Sequence, residues 1–275
     1  MISDTLQILR KYHIKLDKRK GQNYLIRRNT LFKILEYAKL SDDDNVLEIG
    51  SGIGTLTIPM ASEAKQIIAI EQDPKIASIL KKRLEQSGIT NVDVITADAT
   101  KIDFEEFNKV VSNLPYQISS PITFKLLKYD FDFAVLMYQL EFAKRMVAKP
   151  GNSNYSRLSL MLSYCADVEM LFNVPPEDFY PQPKVSSAVI KLNPNRKVKM
   201  DNSLINVSRA IFQHKRKKTR NALLDSFHEI GDLDKNEAKE IVEKLDQNLL
   251  DKRVFKLNPD EVLLLSQKLE YLIEN

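Results

Sequence analysis

From residue 45 onward, short apolar runs alternate with amphipathic segments along the chain. Apolar runs that end in glycine or an acid indicate buried strands, whereas apolar residues at helical spacing indicate helices. The alternation predicts a Rossmann-like α/β fold, in which a mostly parallel sheet is covered by helices on both faces. The predicted strands are residues 45–49, 66–70, 92–96, 109–112, 133–138 and 185–192, with a helix over residues 56–64.

The helix after the second strand has well-defined ends in the sequence. Asp73 can cap its first turn by accepting a backbone hydrogen bond, and Pro74 tolerates that turn because it has no N–H to satisfy. Apolar residues follow at helical spacing until Gly88, which is expected to end the helix.

Strand character is lost beyond Asn193-Pro194-Asn195, where we predict a domain boundary. Residues 1–195 are expected to form the α/β domain, and residues 196–275 a small helical domain. Leu204, Val207 and Ile211 mark one helix of that second domain, and Asn258-Pro259 opens another.

Acidic residues surround the first strand of the predicted sheet. Asp42, Asp43 and Asp44 precede it and are interpreted as a solvated loop. Glu48 lies within it and has two alternative roles, namely orienting the glycine turn that follows or satisfying backbone donors.

Composition narrows the class of protein. The chain has 275 residues, of which 43% are hydrophobic and 28% charged, as in globular proteins with a sizeable core. No apolar run approaches the roughly 18 residues needed to span a bilayer. Cys165 is the single cysteine, which indicates a buried apolar role and a cytoplasmic protein. One cysteine and three scattered histidines predict no metal site.

Positive charge is concentrated in two short stretches. The net charge is +4, but residues 15–28 and residues 213–220 each carry +5, which leaves the rest of the chain at −6. This distribution suggests a surface that binds a polyanion, with two solvated charged faces as the alternative.

Residues 50–54 form a glycine-rich turn directly after a predicted strand. Gly50, Gly52 and Gly54 allow a ligand to approach bare backbone, as in nucleotide-binding turns. Glu71 ends the next strand and could accept both hydroxyls of a ribose, and Asp98 follows the third strand and could accept from an adenine amine. Glycine turn, Glu and Asp at three strand ends favour S-adenosylmethionine, with a nicotinamide cofactor or a structural turn as alternatives.

The segment Asn113-Leu114-Pro115-Tyr116 follows the fourth strand and could hold a planar amine. The Asn113 side-chain oxygen and the Leu114 carbonyl could accept the two amine hydrogens, while Pro115 stiffens the turn. The Tyr116 ring could stack on the base. Phe179 is the candidate for the other face of the base, with Tyr180 as its neighbour and a core position as the alternative.

These ordered motifs resemble the rRNA adenine dimethyltransferase family, which includes small-subunit rRNA dimethyltransferases and macrolide-resistance enzymes. The resemblance covers nearly the whole chain. Tyr24 stands where Phe is usual and Ser51 where Pro or Ala is common. The matching segments are residues 21–25, 48–57, 71–74, 98–99, 113–116, 155–158, 174–176, 179–185 and 216–223.

The resemblance implies an enzyme that uses S-adenosylmethionine to dimethylate the exocyclic amines of two adjacent adenosines near the 3′ end of small-subunit rRNA. It also implies that residues 1–30 contain a segment that closes over the cofactor. The implied adenine pocket and catalytic residues are Asn113, Leu114, Pro115, Tyr116 and Phe179. The implied cofactor contacts are Gln22, Asn23, Leu25, Gly50, Gly52, Gly54, Glu71, Asp98 and Asn113.

The same resemblance gives the second basic stretch a use, because lysine and arginine hold RNA phosphates without reading sequence. The expected partner is small-subunit rRNA or the immature small subunit, bound by a monomer without membrane association. The expected RNA contacts in the helical domain are Lys215, Arg216, Lys217, Lys218 and Arg220.

Other functions stay open at this point. A resistance-type enzyme would act on large-subunit rRNA, and an assembly factor could keep the fold without catalysis. A methyltransferase for amines in DNA or protein is a further alternative.

Overall fold

A computed structural model describes residues 4–14, 23–195, 198 and 200–274, which form two compact units. The first unit takes in the chain up to Ala143 and returns for Val168–Pro194. The second unit takes in Lys144–Asp167 and the chain from Asn195 onward. Lys144–Asp167 therefore belongs with the helices, although the sequence analysis assigned this segment to the α/β domain.

The first unit is built on a seven-stranded sheet of β2 (Asn45–Ile49), β3 (Gln66–Glu71), β4 (Val92–Thr96), β5 (Lys109–Asn113), β6 (Phe133–Gln139), β7 (Ala166–Val174) and β9 (Ser187–Pro194). Their order in the sheet is β4-β3-β2-β5-β6-β9-β7. β2 pairs in parallel with β3 and β5, β3 with β4, and β5 with β6. β9 runs antiparallel to β6.

The central strands are buried on both faces, as a parallel sheet requires. Val46, Leu47, Glu48 and Ile49 are consecutive in β2 and all buried, although successive side chains point to opposite faces. The mostly parallel α/β fold is therefore confirmed. The helices of this unit are α1 (Asp4–Lys11), α2 (Arg28–Ala38), α3 (Thr57–Met60), α4 (Pro74–Gln86) and α5 (Ser119–Leu126), and α6 (Leu140–Met146) begins in it.

Local signals fix α4 as predicted, but α3 is shorter than expected. Asp73 accepts hydrogen bonds from the backbone N–H groups of Lys75 and Ile76, and Gly88 follows the helix with φ +65°. The helix predicted over residues 56–64 covers only Thr57–Met60, with turns on either side. β7 was not predicted, although Ala166, Val168, Met170, Phe172 and Val174 occupy alternate positions, as in a strand.

Asp44 was wrongly interpreted as part of a solvated loop. It is only 3% exposed and lies 2.8 Å from the ammonium of Lys109, which is itself buried. Asn108 and Ser41 donate further hydrogen bonds to the Asp44 carboxylate. These hydrogen bonds lower its pKa although burial acts in the opposite direction. Asp42 and Asp43 are exposed, as expected.

The second unit is helical around one apolar core. α7 contributes Leu160 and Tyr164 to this core, which explains why it belongs here rather than with the sheet. The Tyr164 hydroxyl donates to the Pro259 carbonyl at 2.6 Å. The helices of the second unit are α7 (Arg157–Cys165), α8 (Asn202–Gln213), α9 (Thr219–Asp225), α10 (Lys235–Glu243), α11 (Gln247–Asp251) and α12 (Pro259–Glu274).

Among the described residues, no helix is both long enough and apolar enough to cross a bilayer. Within the same residues, no group of three or more His, Cys, Asp or Glu side chains is arranged to hold a metal ion. Cys165 is buried, and burial raises the pKa of its thiol to about 11.

Candidate active site

A cavity of about 520 Å³ opens at the carboxyl ends of β2, β3, β4 and β5. Ligand pockets are typically about 300–1,000 Å³ and lie where the strand order of such sheets reverses. The cavity brings together most of the residues singled out from sequence. Those that line it are Asn23, Leu25, Gly50, Gly52, Glu71, Asp98, Asn113, Leu114, Pro115 and Tyr116. Gln22 lies outside the described residues.

The glycine turn is held against β3 and against the turn after β5. The Gly50 N–H donates to the Ile70 carbonyl at 2.7 Å. Gly50 has φ +77°, and a Cβ atom there would lie 2.9 Å from Cδ of Pro115. Only glycine permits this approach, so the turn predicted to bind a cofactor lies directly beside the segment predicted to hold an amine.

Gly54 was predicted to contact the cofactor, and the structure does not bring it to the cavity. A Cβ atom at Gly54 would lie 2.5 Å from a methyl group of Leu80 in α4. The third glycine therefore allows close packing between the turn and a helix, which is a common use of that position in nucleotide-binding turns.

Glu71 is positioned by main-chain donors at the end of β3. The Gly52 N–H donates to one carboxylate oxygen at 2.9 Å, and the Asp73 N–H donates to the other at 2.8 Å. Burial raises the pKa of Glu71 despite these bonds. Each carboxylate oxygen can accept a second hydrogen bond, so Glu71 can still accept a diol that enters the cavity.

Asp98 is an ionised acceptor at the rim of the cavity. The hydroxyl of Thr100 donates to its carboxylate at 2.7 Å and the Thr100 N–H at 3.0 Å. These bonds lower the pKa of Asp98. An amino group of a bound purine could donate to the carboxylate.

Asn113 is held by a hydrogen bond that its side-chain amide nitrogen donates. Its Nδ2 donates to the Asn23 carbonyl at 3.3 Å. Because the amide nitrogen is directed towards Asn23, the oxygen is left as an acceptor. Leu114 is 1% exposed and also lines the cavity. Asn113 and Leu114, the residues predicted to supply two acceptors for an amine, thus both line the cavity.

Tyr116 is oriented by a residue that sequence reasoning missed. The Tyr116 and Ser187 hydroxyls lie 2.8 Å apart, and Ser187 is completely buried at the start of β9. Burial raises the pKa of Tyr116, which keeps the phenol protonated. A lone serine at a strand end carries no sequence signal, because the contact depends on the pairing of β9 with β6.

Phe179 was predicted to cover the second face of the base, and the structure places it in the core instead. It is 2% exposed and lies in a short strand, β8 (Phe179–Tyr180), which pairs with β1 (Tyr24–Leu25). Alternate strand residues point in opposite directions, so Phe179 packs inward opposite Leu25 while Tyr180 is exposed. Phe179 is not among the residues that line the cavity, although its strand partner Leu25 is.

Glu48 bonds to the helix directly after the glycine turn, which fits the first of the two roles considered from sequence, orienting that turn. It lines the cavity, is 2% exposed, and accepts a 2.5 Å hydrogen bond from the Thr57 hydroxyl in α3. It therefore connects the end of β2 to the helix after the glycine turn. Burial raises the pKa of Glu48 to about 8, and the Thr57 hydrogen bond opposes this only partly.

Glu48 is expected to make folding stability depend on pH. The pKa of Glu48 is higher in the folded than in the unfolded chain. Between about pH 5 and pH 8 its carboxyl group is therefore protonated in the folded chain and ionised in the unfolded chain, so the free energy of unfolding falls as pH rises. We expect a loss of about 2–4 kcal/mol over this range, which Glu48→Gln should remove. Urea unfolding at several pH values measures it, with exposed Glu63→Gln as the matched control. An unchanged slope in Glu48→Gln would contradict this assignment.

The predicted RNA contacts of the second unit are partly engaged within that unit. Lys215 donates to the carbonyls of Ser153 and Tyr155 at 2.9 and 3.0 Å. Lys217 pairs with Asp225, Lys218 pairs with Asp251, and Arg220 donates to Gln247. Arg216 is exposed. The segment is thus structured, and its lysines are partly neutralised.

Of the cationic residues in the first basic stretch, Arg27 and Arg28 lie within the described residues. Lys15, Lys18, Arg19 and Lys20 lie outside the described residues. Arg27 pairs with Asp178 at 3.5 Å.

Comparison with known proteins agrees with this geometry. The family model described as ribosomal RNA adenine dimethylase matches residues 14–256. A probable ribosomal RNA small subunit methyltransferase A from Methanosphaera stadtmanae is 53% identical, covering 98% of this chain and 99% of the relative. One from Thermococcus sibiricus is 47% identical, covering 95% of each chain.

Solved structures lead to the same family. A dimethyladenosine transferase from Plasmodium falciparum superposes with a TM-score of 0.76 at 33% identity, covering 90% of this chain and 98% of that one. The 23S rRNA methyltransferase ErmE superposes with a TM-score of 0.64 at 26% identity, covering 90% and 100%. With a cavity suited to the methyl donor and relatives that match almost end to end, the chain belongs to the ribosomal RNA adenine dimethylase family of S-adenosylmethionine-dependent methyltransferases.

Proposed function

We propose that this protein dimethylates the exocyclic amines of two adjacent adenosines near the 3′ end of small-subunit rRNA. The observation that carries the proposal is that Asn113, Leu114 and Tyr116 line one cavity with the glycine turn, against which Pro115 packs. The relatives named as small-subunit rRNA methyltransferases support the choice of polymer.

The residues of the cavity fit S-adenosylmethionine. Glu71 offers carboxylate oxygens for ribose hydroxyls, and Asp98 offers an ionised acceptor for the adenine amine. Gly50 leaves bare backbone next to Pro115, where a side chain could not be accommodated. When bound, the cofactor supplies a methyl group on a sulfonium, a good electrophile for an amine nitrogen.

Asn113 and Leu114 would make the target nitrogen reactive. The lone pair of an adenine amine is delocalised into the ring, which makes it a poor nucleophile. Hydrogen bonds from its two N–H groups to the Asn113 oxygen and the Leu114 carbonyl favour a pyramidal nitrogen with an available lone pair. Tyr116 stacks on the base and holds it in line, so positioning supplies most of the catalysis. The alkylated amine is acidic enough to release its proton to water.

The same acceptors also serve a second transfer. A monomethylated amine keeps one N–H, which either the Asn113 oxygen or the Leu114 carbonyl can still accept. No residue needs to change its protonation state between the two transfers, so one site is sufficient for dimethylation.

Methylation of isolated ribosomal particles tests the proposal. We expect transfer from radiolabelled S-adenosylmethionine to small subunits from a strain that lacks this modification, with two methyl groups on each of two adjacent adenosines. Large-subunit rRNA is the control, since the 23S rRNA methyltransferase ErmE shares the fold. Activity on large-subunit rRNA but not on small subunits would contradict the proposal.

We further propose that the enzyme acts as a monomer on the immature small subunit in the cytoplasm, with residues 215–220 near RNA phosphates. Arg216 is exposed, and its side chain can bind a phosphate without first breaking an ion pair of the kind that Lys217 and Lys218 form. The paired lysines would have to exchange Asp225 and Asp251 for phosphate.

Arg216→Ala is expected to weaken binding to small subunits and to reduce its salt dependence. Each phosphate contact contributes about 0.7–0.9 to the slope of log affinity against log salt, so the slope should fall by about one. Filter binding over a salt series measures this. Exposed Lys239→Ala in α10 is the matched control. Equal slopes for Arg216→Ala and wild type would exclude a phosphate contact at Arg216.

A further inference from the structure

Tyr24 is fixed at the wall of the cavity. Its strand, β1, pairs with β8, so that Tyr24 lies opposite Tyr180. Tyr24 is 8% exposed and lines the cavity. Its ring approaches the glycine turn closely, because a Cβ atom at Gly52 would lie 3.1 Å from Cε1 of Tyr24. The ring cannot move towards the turn, so its hydroxyl is held in one region.

Tyr24 lines the same cavity as the carboxylates of Glu71 and Asp73 without bonding to either. Among the described residues, none forms a hydrogen bond with the Tyr24 hydroxyl. Burial, together with the negative charges of Glu71 and Asp73, raises the pKa of Tyr24. The phenol therefore stays protonated and keeps a hydrogen-bond donor that no described residue uses.

We propose that the Tyr24 hydroxyl is a further cofactor-binding group, which donates a hydrogen bond to a ribose hydroxyl oxygen of the methyl donor beside Glu71. The proposal rests on the cofactor assigned under the proposed function. A ribose hydroxyl donates to Glu71, whose carboxylate can only accept, and its own oxygen then needs a donor. A protonated phenol supplies that donor.

The surrounding charges favour a neutral partner. Glu71 and Asp73 would repel the carboxylate of the cofactor's amino-acid part, so Tyr24 is not suited to bind it. Asp98, the acceptor suited to the adenine amine, follows β4, one strand further along the sheet. The ribose is therefore the part of the cofactor that matches this position.

Calorimetric binding of S-adenosylhomocysteine to the full chain tests the assignment. A hydrogen bond between neutral groups contributes about 0.5–1.5 kcal/mol, so Tyr24→Phe should weaken binding about 3- to 10-fold. In methylation assays, the KM for the methyl donor should rise by more than kcat falls. Tyr37→Phe is the matched control, because Tyr37 is exposed and stacks on Phe172 outside the cavity. Equal affinity of wild type and Tyr24→Phe would overturn the proposal.

Deoxyribose analogues of S-adenosylhomocysteine identify the atom. If Tyr24 donates to the 2′ or 3′ hydroxyl, removing that hydroxyl should weaken binding to wild type more than binding to Tyr24→Phe. If removing either hydroxyl weakens binding equally in wild type and in Tyr24→Phe, the proposal is overturned, even if Tyr24→Phe binds S-adenosylhomocysteine weakly. Wild-type binding without rRNA methylation would refute the proposed substrate but not the role of Tyr24, whereas absence of wild-type binding would refute the cofactor itself.

Discussion

Replacing Asn113 by alanine is expected to lower methyl transfer on the order of 10²- to 10³-fold while rRNA binding stays within about twofold. The substitution removes the side-chain acceptor for the target amine and the hydrogen bond from Nδ2 to the Asn23 carbonyl. Neither the side-chain oxygen nor the side-chain nitrogen of Asn113 belongs to the basic residues at 215–220, which are expected to bind rRNA. Single-turnover methylation and filter binding on the same small subunits measure the two effects.

Two further variants separate the functions of the amide. Asn113→Asp keeps oxygen acceptors but loses the donor to Asn23. It should therefore retain more activity than Asn113→Ala, and it should bind the cofactor less tightly than the wild type does. Asn173→Ala in β7, an exposed asparagine on the same sheet, is the matched control and should behave like wild type. Full activity in Asn113→Ala would contradict the proposed activation of the amine.

Removing the carboxylate of Asp44 is expected to cause a large loss of stability. Asp44→Ala leaves the buried Lys109 ammonium without a counter-charge, next to the Lys39 carbonyl at 2.7 Å and the Phe133 ring at 5.2 Å. Breaking a buried ion pair from one side costs about 3–5 kcal/mol, which is a large part of the total stability of most domains. Urea unfolding at neutral pH measures this loss.

The charge pair can be tested against its own neighbours. Asp42→Ala and Asp43→Ala alter exposed residues of the same loop and should change stability by less than about 0.5 kcal/mol. Adding Lys109→Met to Asp44→Ala removes the uncompensated charge and should recover part of the loss. A cost below about 1 kcal/mol for Asp44→Ala alone would contradict the role given to the pair.

The parts of the fold that sequence predicted well are those determined by local chemistry. Asp73-Pro74 and Gly88 define α4 because capping and positive φ depend on adjacent residues. The strands that precede Gly50, Glu71 and Asn113 are apolar because both faces are covered. The carboxyl ends of parallel strands meet, so residues at those ends share one cavity.

What sequence could not predict depends on distant partners. Asp44 is buried because Lys109, 65 residues further along the chain, lies next to it, and Lys217 is paired because α9 brings Asp225 close. The role of Gly54 depends on the close packing of Leu80 against it, and the position of Phe179 depends on the pairing of its strand with Leu25. A motif gives the residue type at such positions, but the packing decides its use.

Mass spectrometry of rRNA from cells that lack this protein tests the central claim most directly. Small-subunit rRNA from these cells should lose two adjacent N6,N6-dimethyladenosines near its 3′ end. A plasmid copy of the wild type should restore both, and the Asn113→Ala variant should restore neither. If both modified adenosines persist without the protein, or if the missing modification lies in large-subunit rRNA, the assignment is wrong.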